Sequence, residues 1–222
     1  SCTGLGEDVT AEQARLASLY ESDPELYRRE FTAIAIRDNN AGGARFRFQS
    51  GEKDVYRSSI LPRDPACLAE LVQQRRVRTI VNLYSGDVVD EQALMQEEER
   101  AFEALGGAEY VHVLHLSDRP KTDAELAEVH RRLAGIVRLI EAADDAVLVH
   151  CVRGMHRTGI VFGALLKCVD HAPMAQVIAN YRRHTGWRDD AHPGGYRESD
   201  VEILRTLDCS GAASAARARA AR

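Results

Sequence analysis

No apolar run in these 222 residues approaches the roughly 20 that a membrane-spanning helix needs. A surplus of positive charge is missing too. The chain has 29 Lys and Arg against 34 Asp and Glu, for a net charge of −5. That balance gives no general attraction to nucleic acid or to acidic membranes. Cysteines are few and scattered. Cys2, Cys67, Cys151, Cys168 and Cys209 form an odd set without short spacings, which indicates neither a disulfide framework nor a zinc site. No metal and no cofactor are expected. There are no repeats and no internal linker, and the stretch from His150 to Gly159 lacks the lysine before Ser/Thr of a Walker phosphate loop.

What is present is enough chain for one α/β domain with a full core. Residues 1–44 read as a helical extension, with Thr10–Gln13 opening one helix and Pro24 another that runs through Phe31. Residues 45–209 alternate strands and helices. That pattern predicts a mostly parallel central sheet of four or five strands covered by helices on both faces. Residues 210–222 are rich in Ala, Arg and Ser, carry no large apolar side chain, and are expected to be disordered.

The most informative stretch is His150-Cys-Val-Arg-Gly-Met-His-Arg-Thr-Gly159. The apolar Ala146–Val149 before it reads as a buried strand, and Ile160–Leu166 after it as a buried helix. A strand therefore runs through a short loop into a helix N-terminus. Successive loop N–H groups can converge on one oxyanion there, and the helix dipole adds positive potential. The same potential favours thiolate over thiol, which makes Cys151 a nucleophile. Arg157 can grip two phosphate oxygens in its planar fork. Displacement at phosphorus through a cysteinyl-phosphate needs both groups. Thr158 is placed to hydrogen-bond the thiolate. His150 is either a residue that orients the loop or a satisfied buried histidine. The loop residues Val152, Arg153, Gly154, Met155 and His156, with Arg157, are the candidate substrate contacts.

The ten residues resemble the active-site loop of the cysteine-dependent protein tyrosine phosphatase superfamily, His-Cys-x-x-Gly-x-x-Arg-Ser/Thr. They match it at His150, Cys151, Gly154, Arg157 and Thr158. The resemblance implies an α/β phosphatase that needs no cofactor and carries a general acid on a loop upstream of the nucleophile. Two aspartates follow the predicted strand Tyr110–Leu116. Asp118 lies directly after the strand, 33 residues before Cys151, and takes the acid's position. Asp123 falls in the first turn of a helix capped by Thr122 and Glu125, where a carboxylate serves the helix dipole. The family's familiar acid loop reads Trp-Pro-Asp, whereas Leu116-Ser117 precede the aspartate here.

Tyr56-Arg57-Ser58, Leu61-Pro62 and Ile80-Val-Asn-Leu83 resemble the atypical dual-specificity group. Its plant and fungal members carry His-Cys-Lys-Arg-Gly-Lys-His-Arg-Thr-Gly and act on inositol pyrophosphates. Val152 and Met155 replace both lysines here. Each lost lysine removes charge-assisted contacts worth on the order of 1–3 kcal/mol to a polyphosphate. Protein phosphotyrosine therefore ranks first as substrate and an inositol phosphate or pyrophosphate second. A non-catalytic phosphate-binding protein ranks lower, and so does a rhodanese-like sulfur transferase. A low-pKa nucleophile suits a reducing compartment, so the cytoplasm is the default location. Cys2, followed by Thr3-Gly-Leu-Gly6, fits either the lipidated residue of a bacterial cell-envelope lipoprotein or an ordinary exposed cysteine.

Overall fold

The apolar run Ala146–His150 is buried along its whole length, and its alternating side chains feed two cores. Val147 and Val149 point into one, Ala146 and Leu148 into the other. This is how a strand covered on both faces must be written: continuously apolar, with period-2 partition between the layers. The computed structural model describes residues 2, 10–61, 64–84, 89–113, 116, 119–187 and 195–212.

In chain order the elements are α1 (Thr10–Ser22), α2 (Pro24–Arg37), β1 (Gly42–Phe48), β2 (Gly51–Ser58), α3 (Pro65–Gln73), β3 (Val77–Asn82) and α4 (Val89–Ala104). Then follow β4 (Glu109–His112), α5 (Asp123–Ala142), β5 (Ala146–His150), α6 (His156–Cys168), α7 (Met174–Thr185) and α8 (Glu198–Thr206). The sheet order is β1-β2-β5-β3-β4. Only β1, at one edge, pairs antiparallel; the other pairings are parallel. Helices α5 to α8 pack on one face, and α3 and α4 on the other. The expected sheet and its helical cover are both observed.

Register brings four polar residues into one row. Ser58 pairs with His150, His150 with Asn82, and Asn82 with His112. All four end their strands, so a polar rim tops an apolar sheet at its carboxyl edge, where ligand sites of such sheets lie.

The helix opened by Pro24 runs past Phe31 to Arg37. Phe31 carries no stop signal. The stop comes at Asn39 and Asn40, whose φ values of 54° and 48° are left-handed. The strand expected over Tyr110–Leu116 ends at His112, with residues 114, 115, 117 and 118 outside the described set. Residues 210–212 form a helical turn, and the remainder of the expected disordered tail lies outside the described residues. Among the described residues no helix is long and apolar enough to cross a membrane.

The cysteines depart most from expectation. Cys2 is disulfide-bonded to Cys67, 65 residues away, and Cys168 to Cys209, 41 residues away. Neither separation carries a sequence signal; packing of distant segments sets both pairs. The lipid attachment weighed as one alternative for Cys2 is unsupported by this arrangement. A thioether would require the sulfur that bonds Cys67, and Cys2 is buried against α3. Cys151 is the free cysteine of the described residues.

The N-terminal helices pack onto the sheet domain. Leu16 and Tyr27 are buried, the Trp187 backbone N–H donates to the Tyr27 hydroxyl at 2.9 Å, and Tyr20 stacks on Trp187.

Candidate active site

Cys151 directly follows β5, and the chain turns through Met155 into α6. Its side chain is 8% exposed, at the foot of the loop. Gly154 allows the turn. Its φ is +65°, and a Cβ there would lie 2.4 Å from the Ser58 carbonyl oxygen. No other residue fits.

The loop's carbonyls are held from outside. The Ile60 N–H donates to the Val152 carbonyl at 3.1 Å. The Asn40 side-chain amide donates to the Arg153 and Gly154 carbonyls, each at 3.2 Å, and to that of His184 at 3.1 Å. Arg57 Nη2 donates to the Gly154 carbonyl at 2.8 Å. Every peptide bond among the described residues is trans, and a trans peptide sets its N–H opposite its C=O. With the carbonyls of Val152, Arg153 and Gly154 tied outward, the N–H groups of Arg153, Gly154 and Met155 face the other way. That is the geometry of an anion cradle.

Two side chains of the motif complete it. Arg157 Nε and Thr158 Oγ1 are buried and make no hydrogen bond with any described residue. A second arginine lies beneath. Arg57 is fully buried, stacks over the Phe162 ring at 5.0 Å and reaches Asn180 Oδ1 at 3.4 Å. Burial lowers its pKa to about 9, opposed by the charge of Cys151. Arg57 thus adds positive potential behind Cys151.

Behind His150 runs a buried polar network. Its Nε2 bonds Glu98 on α4, and its Nδ1 faces the Cys151 carbonyl at 3.1 Å. Glu98 also accepts from the Leu61 N–H at 2.7 Å and the Tyr110 hydroxyl at 2.9 Å. Burial alone would push the Glu98 carboxyl up, but His150, the Leu61 amide and Tyr110 together hold it below its ordinary value. Burial and the Glu98 charge drive the Tyr110 phenol far above its ordinary range. Asn82 carries the network on, within 3.2 Å of the Tyr110 hydroxyl and 2.9 Å of His112 Nε2.

The candidate residues therefore separate. Cys151, Gly154, Arg157 and Thr158 converge on the cradle, and His150 supports it from behind. Val152, Arg153 and Met155 lie on its outer rim, lining a neighbouring groove. His156 turns away to bond the Gly195 carbonyl at 2.7 Å. Asp118 lies outside the described residues. Asp123 is the first residue of α5, exposed, inside a capping box in which Thr122 and Glu125 satisfy each other's backbone N–H groups.

Four supporting residues escape a sequence reading of the site: Asn40, Arg57, Glu98 and His184. His184 Nδ1 donates to Asn40 Oδ1 at 3.0 Å and so orients the amide that grips the loop. Helical phase carries the available signal. Met95, Glu98 and Phe102 share one buried face of α4, as Val177, Tyr181 and His184 share one of α7.

The sequence pattern that defines the tyrosine phosphatase family matches residues 44–198. The chain belongs to that family. Relatives of this tyrosine-phosphatase-family chain include inositol diphosphatase DSP3 of Arabidopsis thaliana. The two are 29% identical over 70 residues, 32% of this chain and 30% of that protein. The match thus spans less than a third of that relative's length. Among solved folds, the catalytic core of the PP-IP phosphatase SIW14 from S. cerevisiae superposes with a TM-score of 0.52. It is 21% identical, with 75% of this chain and 88% of that one covered. P. aeruginosa TpbA in complex with pTyr gives 0.50 at 20% identity, covering 72% and 84%. At these identities the two structures speak to the fold.

Proposed function

We propose that this chain is a cysteine-dependent phosphomonoesterase acting on phosphotyrosine in proteins. The observation that carries the reading is the loop whose carbonyls are tied outward around a free, buried Cys151. In the first step Cys151 Sγ attacks phosphorus as the bond to the leaving oxygen breaks. Arg157 and the inward N–H groups stabilise the three non-bridging oxygens. Asp118 gives a proton to the leaving oxygen, an effect worth on the order of 10²–10⁴ in rate. In the second step Asp118 takes a proton from water as that water attacks phosphorus. The S–P bond breaks, and Thr158 hydrogen-bonds the departing thiolate.

A second reading, an inositol phosphate or pyrophosphate phosphatase, is favoured by the similarity to the inositol diphosphatase of Arabidopsis thaliana. Val152 and Met155 count against it, because they replace the cations that would meet additional phosphates. The two disulfides support an oxidising compartment over the cytoplasm, since such bonds persist where thiols are not kept reduced.

Phosphate release from p-nitrophenyl phosphate tests the chemistry. Cys151→Ser is expected to abolish turnover while still binding a phosphate analogue. Asp118→Ala is expected to remove the basic limb of the pH profile, and Asp123→Ala to leave that limb in place. Activity of Cys151→Ser within about tenfold of wild type would rule out the covalent route.

A further inference from the structure

A groove of about 920 Å³ opens beside the phosphate loop, with the N-terminal helix α2 as one wall. Its volume lies near the top of the roughly 300–1,000 Å³ range of small-ligand sites, far more than one phosphate fills. Phe31 and Ile36 come from α2, Leu94 from α4, Ile60 from the segment after β2, and Val152 and Met155 from the loop itself. Neither Cys151 nor Arg157 lines it. The groove therefore shares Val152, Arg153 and Met155 with the phosphate loop yet lies apart from Cys151 and Arg157. It is placed to hold what lies beyond the phosphate in a substrate.

Ile36 gives the groove direction. It is 74% exposed, and it is the one large apolar side chain so exposed among the described residues. A single exposed isoleucine is ordinary on a protein surface. One that lines an apolar trough shared with a catalytic loop has a use. The trough is also rigidly backed, because Phe31 stacks on Tyr27 at 5.8 Å and Tyr27 is itself buried against Trp187.

Charge decides the occupant. Arg28, Arg37 and Arg153 line the groove together with Asp64 and Glu91, and Arg37 is already paired with Asp38 at 2.5 Å. Three cations against two anions leave little surplus. Each additional phosphate of a polyphosphate would bring about −1.5 to −2 charges. The two acids and the net charge of −5 likewise oppose an anionic bilayer surface. A peptide suits the lining better. It brings apolar side chains for the trough and a single phosphate for the cradle.

We propose that the groove between α2 and the phosphate loop takes the apolar residues that flank phosphotyrosine in a protein substrate, so that α2 selects the sequence context. This rests on the phosphotyrosine reading above.

The test uses the full chain and matched phosphotyrosine peptides, flanked on both sides by Leu and Phe or by Asp and Glu. Phosphate release gives kcat/KM for each at one fixed salt concentration. The wild type is expected to favour the apolar-flanked peptide by at least about tenfold. Ile36→Glu is expected to collapse that ratio, and Ile36→Leu to keep it. The ratio is internal to each preparation, so partial misfolding does not move it. Equal rates on both peptides, or a ratio unmoved in Ile36→Glu, would overturn the groove assignment while leaving the protein phosphatase reading intact. So would faster release from phosphatidic acid in phosphatidylcholine vesicles than from either peptide. Turnover of p-nitrophenyl phosphate and inositol hexakisphosphate with neither peptide hydrolysed would remove the protein phosphatase reading, and the groove assignment with it.

Discussion

A carboxylate closed off from water depends wholly on its donors, and Glu98 has three: His150, the Leu61 amide and the Tyr110 hydroxyl. Glu98→Ala strands them in a dry site, so it is expected to cost about 3–5 kcal/mol in denaturant unfolding. Glu98→Gln keeps the shape and should cost less. His184 provides a pH signature. Burial, then the charges of Arg57 and Arg183, hold its pKa well below the ordinary 6.5. The folded state keeps this ring neutral while the unfolded chain protonates it, so its contribution is complete above pH 6.5 and is lost as pH falls from there. The slope is at most about 1.4 kcal/mol per pH unit for one proton. Unfolding free energy measured from pH 7 downward should show this loss, and His184→Asn should flatten it. These residues mark the limit of what the sequence discloses. Cys151, Gly154, Arg157 and Thr158 are legible because the chemistry dictates both type and spacing. Glu98 sits in Glu97-Glu98-Glu99, which looks like a solvated run until helical phase is considered. Asn40 is fully explained as a turn residue, so nothing prompts a search for its second task.

At the level of elements, the strands and helices could be read almost throughout, because each is short, bounded and periodic. The Thr122–Glu125 box and Pro24 start their helices where expected. What could not be read was how far α2 extends and what it faces, since both depend on tertiary neighbours. The phosphate loop is the element on which specificity can be moved. Val152 and Met155 put apolar side chains on its rim, beside Arg153. Replacing both with lysine is expected to shift preference toward inositol polyphosphates over phosphotyrosine peptides. About 1.4 kcal/mol of differential transition-state binding already gives tenfold. Comparing kcat/KM on both substrate classes, for both proteins and at one ionic strength, checks this. A double variant with an unchanged ratio would show that the loop's rim does not read the substrate.

At the scale of the whole molecule, four of the five cysteine sulfurs are committed to disulfides, and that of Cys151 is left free. α1 and α2 lie inside the covalent ring closed by Cys2 and Cys67. A disulfide closing so long a loop typically stabilises by about 2–4 kcal/mol. A cut between the two helices should therefore leave two fragments that travel together on a non-reducing gel and part on a reducing one.

This division of sulfurs sets two laboratory needs against each other. Catalytic thiolates are guarded with dithiothreitol, because oxidation to sulfenic acid and beyond silences them. Here the same reagent would open the ring that contains α2 and release the end of α6 from Cys209. Activity plotted against dithiothreitol should rise and then fall. The melting temperature should only fall, and the best working concentration should lie where the nucleophile is regenerated before the rings are opened.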